Sequence, residues 1–304
     1  MKHRRFYILV AAITALCAVL LMRQSGEASG DADRAGTRPA APVRYRHIER
    51  QPPPMHIHVI TVDLTDPRVR VRVCPGGADP DGDGPWQTTL RSVRENAEAN
   101  NLSCAVNGNF FGCKEAKQFA GRTIPYFNGN WSRVTGWAMS DGKLWGTESG
   151  SRCSLMIDRA GRATIDRLPE RLPADAREIV TGIELIVTDG KVTATGKDRA
   201  PRTSVGIDSR GRTLFFVVVD GRNAEYSIGM TAAELANELI ALGCHRAVLL
   251  DGGGSSTMVM RDPIEKIVRV LNRPSDGHDL PISMSLERPV ANVVGVEMLE
   301  EVGR

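Results

Sequence analysis

The chain contains, at residues 248–258, the stretch Val248-Leu249-Leu250-Asp251-Gly252-Gly253-Gly254-Ser255-Ser256-Thr257-Met258. An apolar run typical of a buried strand ends in one carboxylate, three consecutive glycines and three hydroxyl side chains. Glycine lets main-chain N–H groups approach a ligand closely, and ligand-binding residues concentrate on loops. The alternative is a purely structural turn closed by the Asp251 side chain. Three consecutive glycines make this alternative less favourable, because each glycine loses more conformational entropy on folding than another residue would. The stretch therefore indicates a site for an oxygen-rich, anionic ligand.

The elements around this stretch predict the fold class. Thr231 and Glu234 form a capping box and Gly243 is a stop signal, so a helix is predicted over 231–242, immediately before the strand 246–250. A second helix is predicted at about 87–100. Alternation of apolar and polar residues predicts strands elsewhere, chiefly at 56–64, 69–73, 103–107, 203–208, 213–219 and 290–298. We therefore expect an α+β fold: a mostly antiparallel or mixed β-sheet core with a few packed helices, in one domain over 55–304.

The N-terminus predicts export. A basic start, Met1-Lys2-His3-Arg4-Arg5, precedes seventeen uncharged residues from Phe6 to Met22. This length lies between a cleaved signal and a membrane-spanning helix. Residues 1–22 are interpreted as an anchor or signal, which places the rest in the periplasm or extracellular space. Residues 23–54 are rich in Pro, Gly, Ala and Arg and predict a disordered linker.

Composition excludes one class of partner. The chain carries 39 Lys and Arg against 36 Asp and Glu, but nine of the basic and four of the acidic residues lie in 1–50. The rest is therefore near neutral, and nucleic-acid binding is not expected. Five cysteines lie outside the hydrophobic segment, and Cys104 and Cys113 are candidates for a disulfide that clips the loop between them.

Several other polar stretches follow predicted strands. Asp220-Gly221-Arg222 ends one strand, and Asn107-Gly108-Asn109 ends another. Arg202-Thr203 starts a strand, and Asn272-Arg273-Pro274-Ser275-Asp276 is a polar turn. Each stretch taken alone has a structural explanation. His56 and His58 share one strand face, where ordinary side chains are expected more often than a metal pair.

Taken together, these stretches resemble the phosphodiester glycosidase family. The motifs are Asn-Gly-x-Phe-Phe at 107–111, Arg-Thr-x-x-Gly at 202–206, Val-Asp-Gly-Arg at 219–222, Gly-Met-Thr-x-x-Glu-Leu-Ala at 229–236, Leu-Asp-Gly-Gly-Gly-Ser-Ser-Thr at 250–257, Asn-Arg-Pro-Ser-Asp at 272–276 and Glu-Arg-Pro-Val-Ala-Asn at 287–292. The resemblance covers about 105–296. It implies hydrolysis of a sugar-1-phosphodiester to free sugar and a phosphomonoester. Asn109 departs from the family, which often has glycine at this position.

Roles for individual residues are hypotheses that rest on this resemblance. Asp251 is the expected nucleophile or base, Asp220 the second carboxylate, and Arg202 the cation that holds phosphate. The amides of 252–255 would cradle the phosphate and Asn107 would bind sugar. The remaining candidate substrate-binding residues are Asn109, Thr203, Arg222, Gly252, Gly253, Gly254, Ser255, Ser256, Thr257, Asn272, Arg273 and Asp276.

No cofactor is required by this chemistry, although Asp220, Asp251 and Asp276 have side chains suited to sharing a divalent cation. The expected partner is a phosphorylated glycan of the envelope or extracellular space. Two other classes stay open. One is a non-catalytic protein of glycan binding or exopolysaccharide assembly. The other is a serine esterase that uses Ser255 or Ser256 with His245 or His278, although the nucleophile-elbow motif is absent.

Overall fold

A computed structural model describes residues 41–119, 121–146, 153–276 and 286–300. The chain divides into residues 1–40 and a unit of residues 41–304. The predicted anchor or signal and most of the predicted linker lie outside the described residues. Within the described part, no helix is long and apolar enough to cross a membrane.

Strands dominate the described residues. In chain order they are β1 (Val43–Arg50), β2 (Met55–Asp63), β3 (Val69–Pro75), β4 (Thr88–Thr89), β5 (Cys104–Asn107), β6 (Phe111–Cys113), β7 (Lys117–Phe119), β8 (Arg122–Ile124), β9 (Trp131–Val134), β10 (Ala138–Ser140), β11 (Lys143–Leu144), β12 (Cys153–Asp158), β13 (Ala163–Arg167), β14 (Ala176–Thr181), β15 (Glu184–Thr188), β16 (Lys191–Val192), β17 (Arg202–Ile207), β18 (Thr213–Val219), β19 (Arg246–Leu249), β20 (Met258–Arg261), β21 (Val268–Val270) and β22 (Asn292–Met298). The helices are α1 (Val93–Ala99) and α2 (Ala232–Ala241), and a single 3₁₀ turn covers Gly253–Ser255.

The predicted α+β class with several packed helices is wrong, because the fold is β-rich. The main sheets have the strand orders β1-β2-β18-β17-β19-β15-β16, β11-β10-β14-β12-β13 and β21-β20-β5-β22-β3. Two smaller sheets are β4-β9-β6 and β7-β8. The central core joins apolar side chains from all three main sheets, among them Phe216, Leu155 and Val106. The three main sheets therefore pack against one another in the centre of the core, and the two helices of the described residues pack on outer sheet faces.

The two helices each cover one outer face. Helix α2 begins at the predicted capping box, in which the Glu234 amide donates to Thr231 Oγ1 at 3.2 Å and the Thr231 amide donates to Glu234 Oε2 at 2.8 Å. Its Leu235 and Leu239 pack on the seven-stranded sheet. Helix α1 packs against the β21-β20-β5-β22-β3 sheet. It is shorter than predicted, because residues 88–89 form the strand β4.

Residues 43–50 correct the predicted linker. They form β1, which pairs antiparallel with the whole of β2, from Val43 opposite Val62 to Arg50 opposite Met55. Apolar residues are sparse in β1 because it is an edge strand with much of its length in solvent. The polar composition of residues 43–50 therefore led to a linker being predicted where the structure has a strand. The predicted disulfide is also wrong, because Cys104 and Cys113 are both free.

Strand ends converge where the candidate site lies. Ser204 pairs with Leu249 and Arg202 pairs with Val219, so the start of β17 lies beside the ends of β19 and β18. The end of β5, in another sheet, is joined to the same place by hydrogen bonds from Asn107. The site therefore lies where two sheets meet.

Candidate active site

Asp251 follows β19 and stands at the start of the glycine loop, defined here as residues 251–257. Its main-chain amide donates to Gly108 O at 3.1 Å, and the Gly252 amide donates to its Oδ1 at 2.9 Å. The residue is partly buried. The strand therefore holds one carboxylate in a fixed position that retains access to solvent.

The environment of Asp251 raises its pKa to about 6. Burial is the largest cause, because a carboxylate removed from water loses hydration. The Ser255 hydroxyl, the Arg288 guanidinium and the Gly252 amide oppose it by stabilising the charge. The carboxyl is therefore mostly ionised at neutral pH while remaining basic enough to accept a proton, which suits a nucleophile or general base.

Two guanidinium groups lie over the glycines of this loop. A Cβ on Gly253 would lie 2.8 Å from Arg222 Nη2, and a Cβ on Gly254 would lie 2.7 Å from Asp276 Oδ1 and closer still to the Arg288 guanidinium. Gly253 also has a φ of +61°, which favours glycine. Glycine is therefore required here, since any side chain would displace the cations from the loop.

Arg288 is a site residue that residue-by-residue reasoning missed. Its Nε and Nη2 donate to Asp276 Oδ1 at 3.1 and 2.8 Å, and its guanidinium lies 3.9 Å from the centre of the Tyr126 ring. The predicted candidate Asp276 thus orients a cation. The signal was present in the motif at 287–292, which contains Arg288, but that motif supplied no candidate.

The predicted amide cradle is largely occupied by the protein itself. The Gly252 amide binds Asp251, the Gly253 amide donates to Pro201 O at 2.9 Å, and the Ser255 amide donates to Gly252 O at 3.2 Å. Within the described ranges, the Gly254 amide has no such acceptor. Gly254 is itself buried beneath Arg288 and Asp276, so the structure does not present the predicted row of four free amides.

The three hydroxyl groups that follow the glycines differ from these amides, because they are buried without a hydrogen-bond partner among the described residues. Ser255, Ser256 and Thr257 are at most 1% exposed, and their hydroxyl oxygens make no hydrogen bond of normal geometry to the described residues. Ser255 lies close enough to Asp251 to lower its pKa without meeting that geometry. Buried polar atoms without a partner are uncommon and often mark a functional site.

Asn107 and Thr203 hold the glycine loop in place. Asn107 Nδ2 donates to Asp251 O at 2.6 Å, and Asn107 Oδ1 accepts from Thr203 Oγ1 at 2.8 Å and from the Thr257 amide at 3.2 Å. Both residues are fully buried. In this structure Asn107 links two sheets to the loop, so it positions Asp251 and does not face a sugar.

Asn109 is likewise committed to the protein. Its Nδ2 donates to Thr135 O and Trp137 O, and its Oδ1 accepts from the Thr181 amide and from Asn292 Nδ2. It is 1% exposed. Asn109 therefore joins three segments beneath the site.

Asp220 is a buried anchor rather than a second accessible carboxylate. Its side chain is 1% exposed. Oδ1 accepts from Asn272 Nδ2 at 2.9 Å, while Oδ2 lies 3.1 Å from His58 Nε2 and accepts from the Tyr226 hydroxyl at 3.1 Å. The Arg273 amide donates to both oxygens. Its lone pairs are therefore engaged, and it fixes the 272–273 turn.

The 272–273 turn connects Asp220 to the glycine loop through hydrogen bonds of Asn272. Asn272 Nδ2 also donates to Ser256 O at 3.0 Å, and Asn272 Oδ1 accepts from the Met258 amide at 2.8 Å. The exposed Arg273 guanidinium lies 5.1 Å from the centre of the Tyr226 ring. Asn272 is thus a positioning residue, whereas Arg273 presents its charge to solvent.

Arg202 is turned away from the phosphate role predicted for it. Its Nε donates to Met230 O at 3.1 Å and its Nη2 donates to Asp198 O at 2.5 Å. Burial lowers its pKa. Thr203 faces the glycine loop through Asn107, and Arg202, its neighbour in β17, points to the opposite face of the strand. The cations at the glycine loop are instead Arg222 and Arg288.

Two of the alternatives lose support from this geometry. Both oxygens of Asp220 are engaged and Asp276 binds Arg288, so the three aspartates do not form a group of metal ligands among the described residues. His245 lies at the far end of β19 from Ser255 and is 3.6 Å from Asp189. His278 lies outside the described residues.

Comparisons with known proteins define the family. A family model described as phosphodiester glycosidase matches residues 100–297. The chain belongs to the phosphodiester glycosidase family. These are hydrolases that act on phosphodiester-linked sugars.

Solved structures share the fold. The catalytic domain of zebrafish N-acetylglucosamine-1-phosphodiester α-N-acetylglucosaminidase, auto-inhibited by its pro-peptide, matches with a TM-score of 0.60 and 21% identity, covering 88% of this chain and 87% of that chain. A hypothetical protein from Synechocystis matches with a TM-score of 0.57 and 14% identity, covering 84% of this chain and 61% of that one.

A curated relative shares a shorter region. The SPbeta prophage-derived uncharacterized protein YomE of Bacillus subtilis is 39% identical over 77 residues, which is 25% of this chain and 11% of that protein. The chain thus spans about a tenth of that relative's length, and YomE adds no functional detail.

Proposed function

We propose that this protein hydrolyses a sugar-1-phosphodiester to free sugar and a phosphomonoester, with Asp251 as the essential carboxylate. The observation that carries the proposal is the arrangement at the glycine loop. A carboxylate with a raised pKa, Asp251, lies two residues before Gly253 and Gly254, against which Arg222 and Arg288 are packed.

The charges suit the leaving group. A phosphodiester carries one negative charge, and cleavage at the sugar leaves a phosphomonoester with greater charge. Arginine binds phosphate oxygens through its planar set of donors. Arg222 and Arg288 would stabilise the departing phosphate, so protonation of the leaving group is less necessary.

Asp251 would act at the anomeric carbon, either by direct attack or by activating a water molecule. Both roles require the ionised carboxylate, which its pKa of about 6 provides at neutral pH. The hydrogen bond from the Gly252 amide to its side chain and the hydrogen bond from its own amide to Gly108 O fix its direction. Asp220, Asn107 and Asn272 would contribute by holding the loop.

The proposal includes the location. The basic start and the uncharged segment 6–22 favour export, with the domain held at the outer side of a membrane. The substrate would then be an envelope or extracellular glycan phosphodiester. Fractionation of cells that express the full chain tests this, and recovery of the whole protein in the cytosolic fraction would contradict it.

The experiment for the reaction uses the full chain with a panel of UDP-sugars and sugar-1-phospho-methyl esters. Mass spectrometry follows free sugar and phosphomonoester. We expect turnover with at least one ester, and a loss of at least about 100-fold in Asp251→Asn. Asp262→Asn, a change of a surface aspartate in the β20–β21 turn, is the matched control and should keep full activity.

Two results would contradict the proposal. Asp251→Asn with wild-type turnover would remove Asp251 from the reaction. Saturable glycan binding without product from any ester would instead identify a non-catalytic glycan-binding protein.

A further inference from the structure

Two histidines and one glutamate meet on the β1–β2 hairpin, outside the glycine loop. In the antiparallel register His47 lies opposite His58 and Glu49 lies opposite His56. Successive side chains alternate between the faces of a strand, so all four project from one face. His47, Glu49 and His56 are called the hairpin cluster below.

The ligand-type atoms of the hairpin cluster converge. His47 Nε2 and His56 Nδ1 are 2.9 Å apart, and His47 Nδ1 lies 3.7 Å from Glu49 Oε1. One such atom from each residue lies within 4.8 Å of the others. Ligands bound to one zinc ion at about 2.1 Å lie roughly 3–3.5 Å from each other. Small side-chain rotations therefore suffice to bring the three onto one ion.

The two imidazoles are held in place from behind. The His47 ring stacks on His58 at 4.5 Å between centroids and 9° between planes, and the His56 ring stacks on Tyr226 at 3.9 Å. His58 is fixed in turn by Tyr45 and Asp220, at 2.8 and 3.1 Å. Partners of this kind orient metal ligands and reduce the entropy lost on binding.

Access from solvent also suits a metal. The side chains of His47 and Glu49 are 32% and 65% exposed, so an ion can reach them without any rearrangement of the strands.

We propose that the hairpin cluster binds one divalent transition-metal ion, with His47, His56 and Glu49 as protein ligands and water completing the coordination. Two imidazoles and one carboxylate favour Zn²⁺, Ni²⁺ or Cu²⁺ over Ca²⁺ and Mg²⁺, which prefer oxygen ligands. Binding replaces the contact between His47 and His56 and releases any proton they share. The ion would cross-link β1, at the sheet edge, to β2.

The experiment uses the full chain purified without a polyhistidine tag and stripped with a chelator. Calorimetric titration with Zn²⁺ should give one site per chain, and Zn²⁺ should raise the melting temperature while Ca²⁺ and Mg²⁺ do not. We expect His47→Ala and His56→Ala each to weaken Zn²⁺ binding by more than tenfold. His245→Ala is the matched control, since His245 is a comparably exposed histidine outside the cluster, and it should bind as the wild type does.

A second readout separates this site from the thiols. Co²⁺ bound by nitrogen and oxygen gives weak visible bands and no thiolate charge-transfer band in the near ultraviolet. The melting temperature in chelator shows whether each variant is folded. Glu49→Gln changes the most exposed ligand, so it tests the site even if a histidine variant fails to fold, and we expect it to weaken Zn²⁺ binding severalfold.

The result that overturns the proposal is unchanged Zn²⁺ affinity in His47→Ala and Glu49→Gln. A thiolate band with Co²⁺, or no binding at millimolar Zn²⁺, would overturn it equally. None of these results bears on Asp251, because the reaction is followed separately by release of the phosphomonoester.

Discussion

Replacement of Asp251 by asparagine should stabilise the protein while it removes activity. The fold raises the pKa of this carboxyl from about 4 to about 6, chiefly by burial. The folded state therefore binds the proton more tightly than the unfolded state, and ionisation of Asp251 opposes folding. The contribution of Asp251 to stability is therefore greatest below its unfolded pKa and is lost as pH rises from about 4 to about 6.

The magnitude follows from the two pKa values. A difference of about two corresponds to about 3 kcal/mol between the protonation states. An asparagine resembles the protonated acid and can still accept a hydrogen bond from Gly252, so it avoids this cost. We expect Asp251→Asn to raise the free energy of unfolding by up to about 3 kcal/mol at pH 8, and by less than about 1 kcal/mol at pH 4.

Urea unfolding at these two pH values measures the effect. Asp66 supplies a control of opposite sign, since hydrogen bonds from Arg68 lower its pKa to about 2. The ionised Asp66 therefore stabilises the folded state at pH values above its unfolded pKa, and this contribution is lost as pH falls towards about 2. Asp66→Asn should accordingly lower the free energy of unfolding at pH 8. The reasoning is refuted if Asp251→Asn is no more stable than the wild type at pH 8, or gains equally at both pH values.

Four further outcomes are expected. If the ionised form of Asp251 reacts, kcat/KM for phosphomonoester release rises about tenfold per pH unit below pH 6 and levels off above it; a flat profile would count against this. Gly254→Ala should lower kcat/KM by roughly 10- to 100-fold by displacing the packed guanidinium, whereas Gly196→Ala, whose added Cβ would lie 3.6 Å from Ala232 Cβ, should leave it unchanged in the same assay. Asp220→Ala should lower the free energy of unfolding in urea by roughly 3–5 kcal/mol, because it strips buried donors of their acceptor; a change below 1 kcal/mol would contradict its anchoring role. Deletion of residues 41–54 should lower the melting temperature relative to a chain that begins at residue 41, because it uncovers the edge of β2.

Local signals predicted local structure well. The capping box placed the start of α2 correctly, and strict alternation identified β2 and β3 within two residues. The fold class was wrong because alternation shows that one face of a strand is buried but not what covers it. Here other sheets cover the inner faces. The edge strand β1 was missed because half of its pattern faces water and resembles a polar linker.

The motifs selected Asp251 and its glycines as a candidate site, whose catalytic role stays a prediction. The structure brings two further candidates, Arg222 and Asp276, to the same loop. Which arginine faces the loop depends on the strand face, and Arg202 lies on the opposite face from Thr203. Three other candidates have side chains whose polar atoms are all hydrogen-bonded within the protein: Asn107, Asn109 and Asp220. Sequence does not distinguish such a positioning residue from a ligand-binding one.

The pairing order of the strands has a consequence for how the chain is made. β2 completes its sheet only by pairing with β18, and β22 lies between β3 and β5. Ribosomes deliver the chain from its N-terminus, so β3 and β5 wait for nearly the whole sequence before the strand that separates them arrives. Long-range antiparallel pairing of this kind folds slowly. The sheet β11-β10-β14-β12-β13, whose strands lie close together in the chain, can form early, whereas the sheets that contain β2 and β22 are completed only after β18 and β22 have left the ribosome.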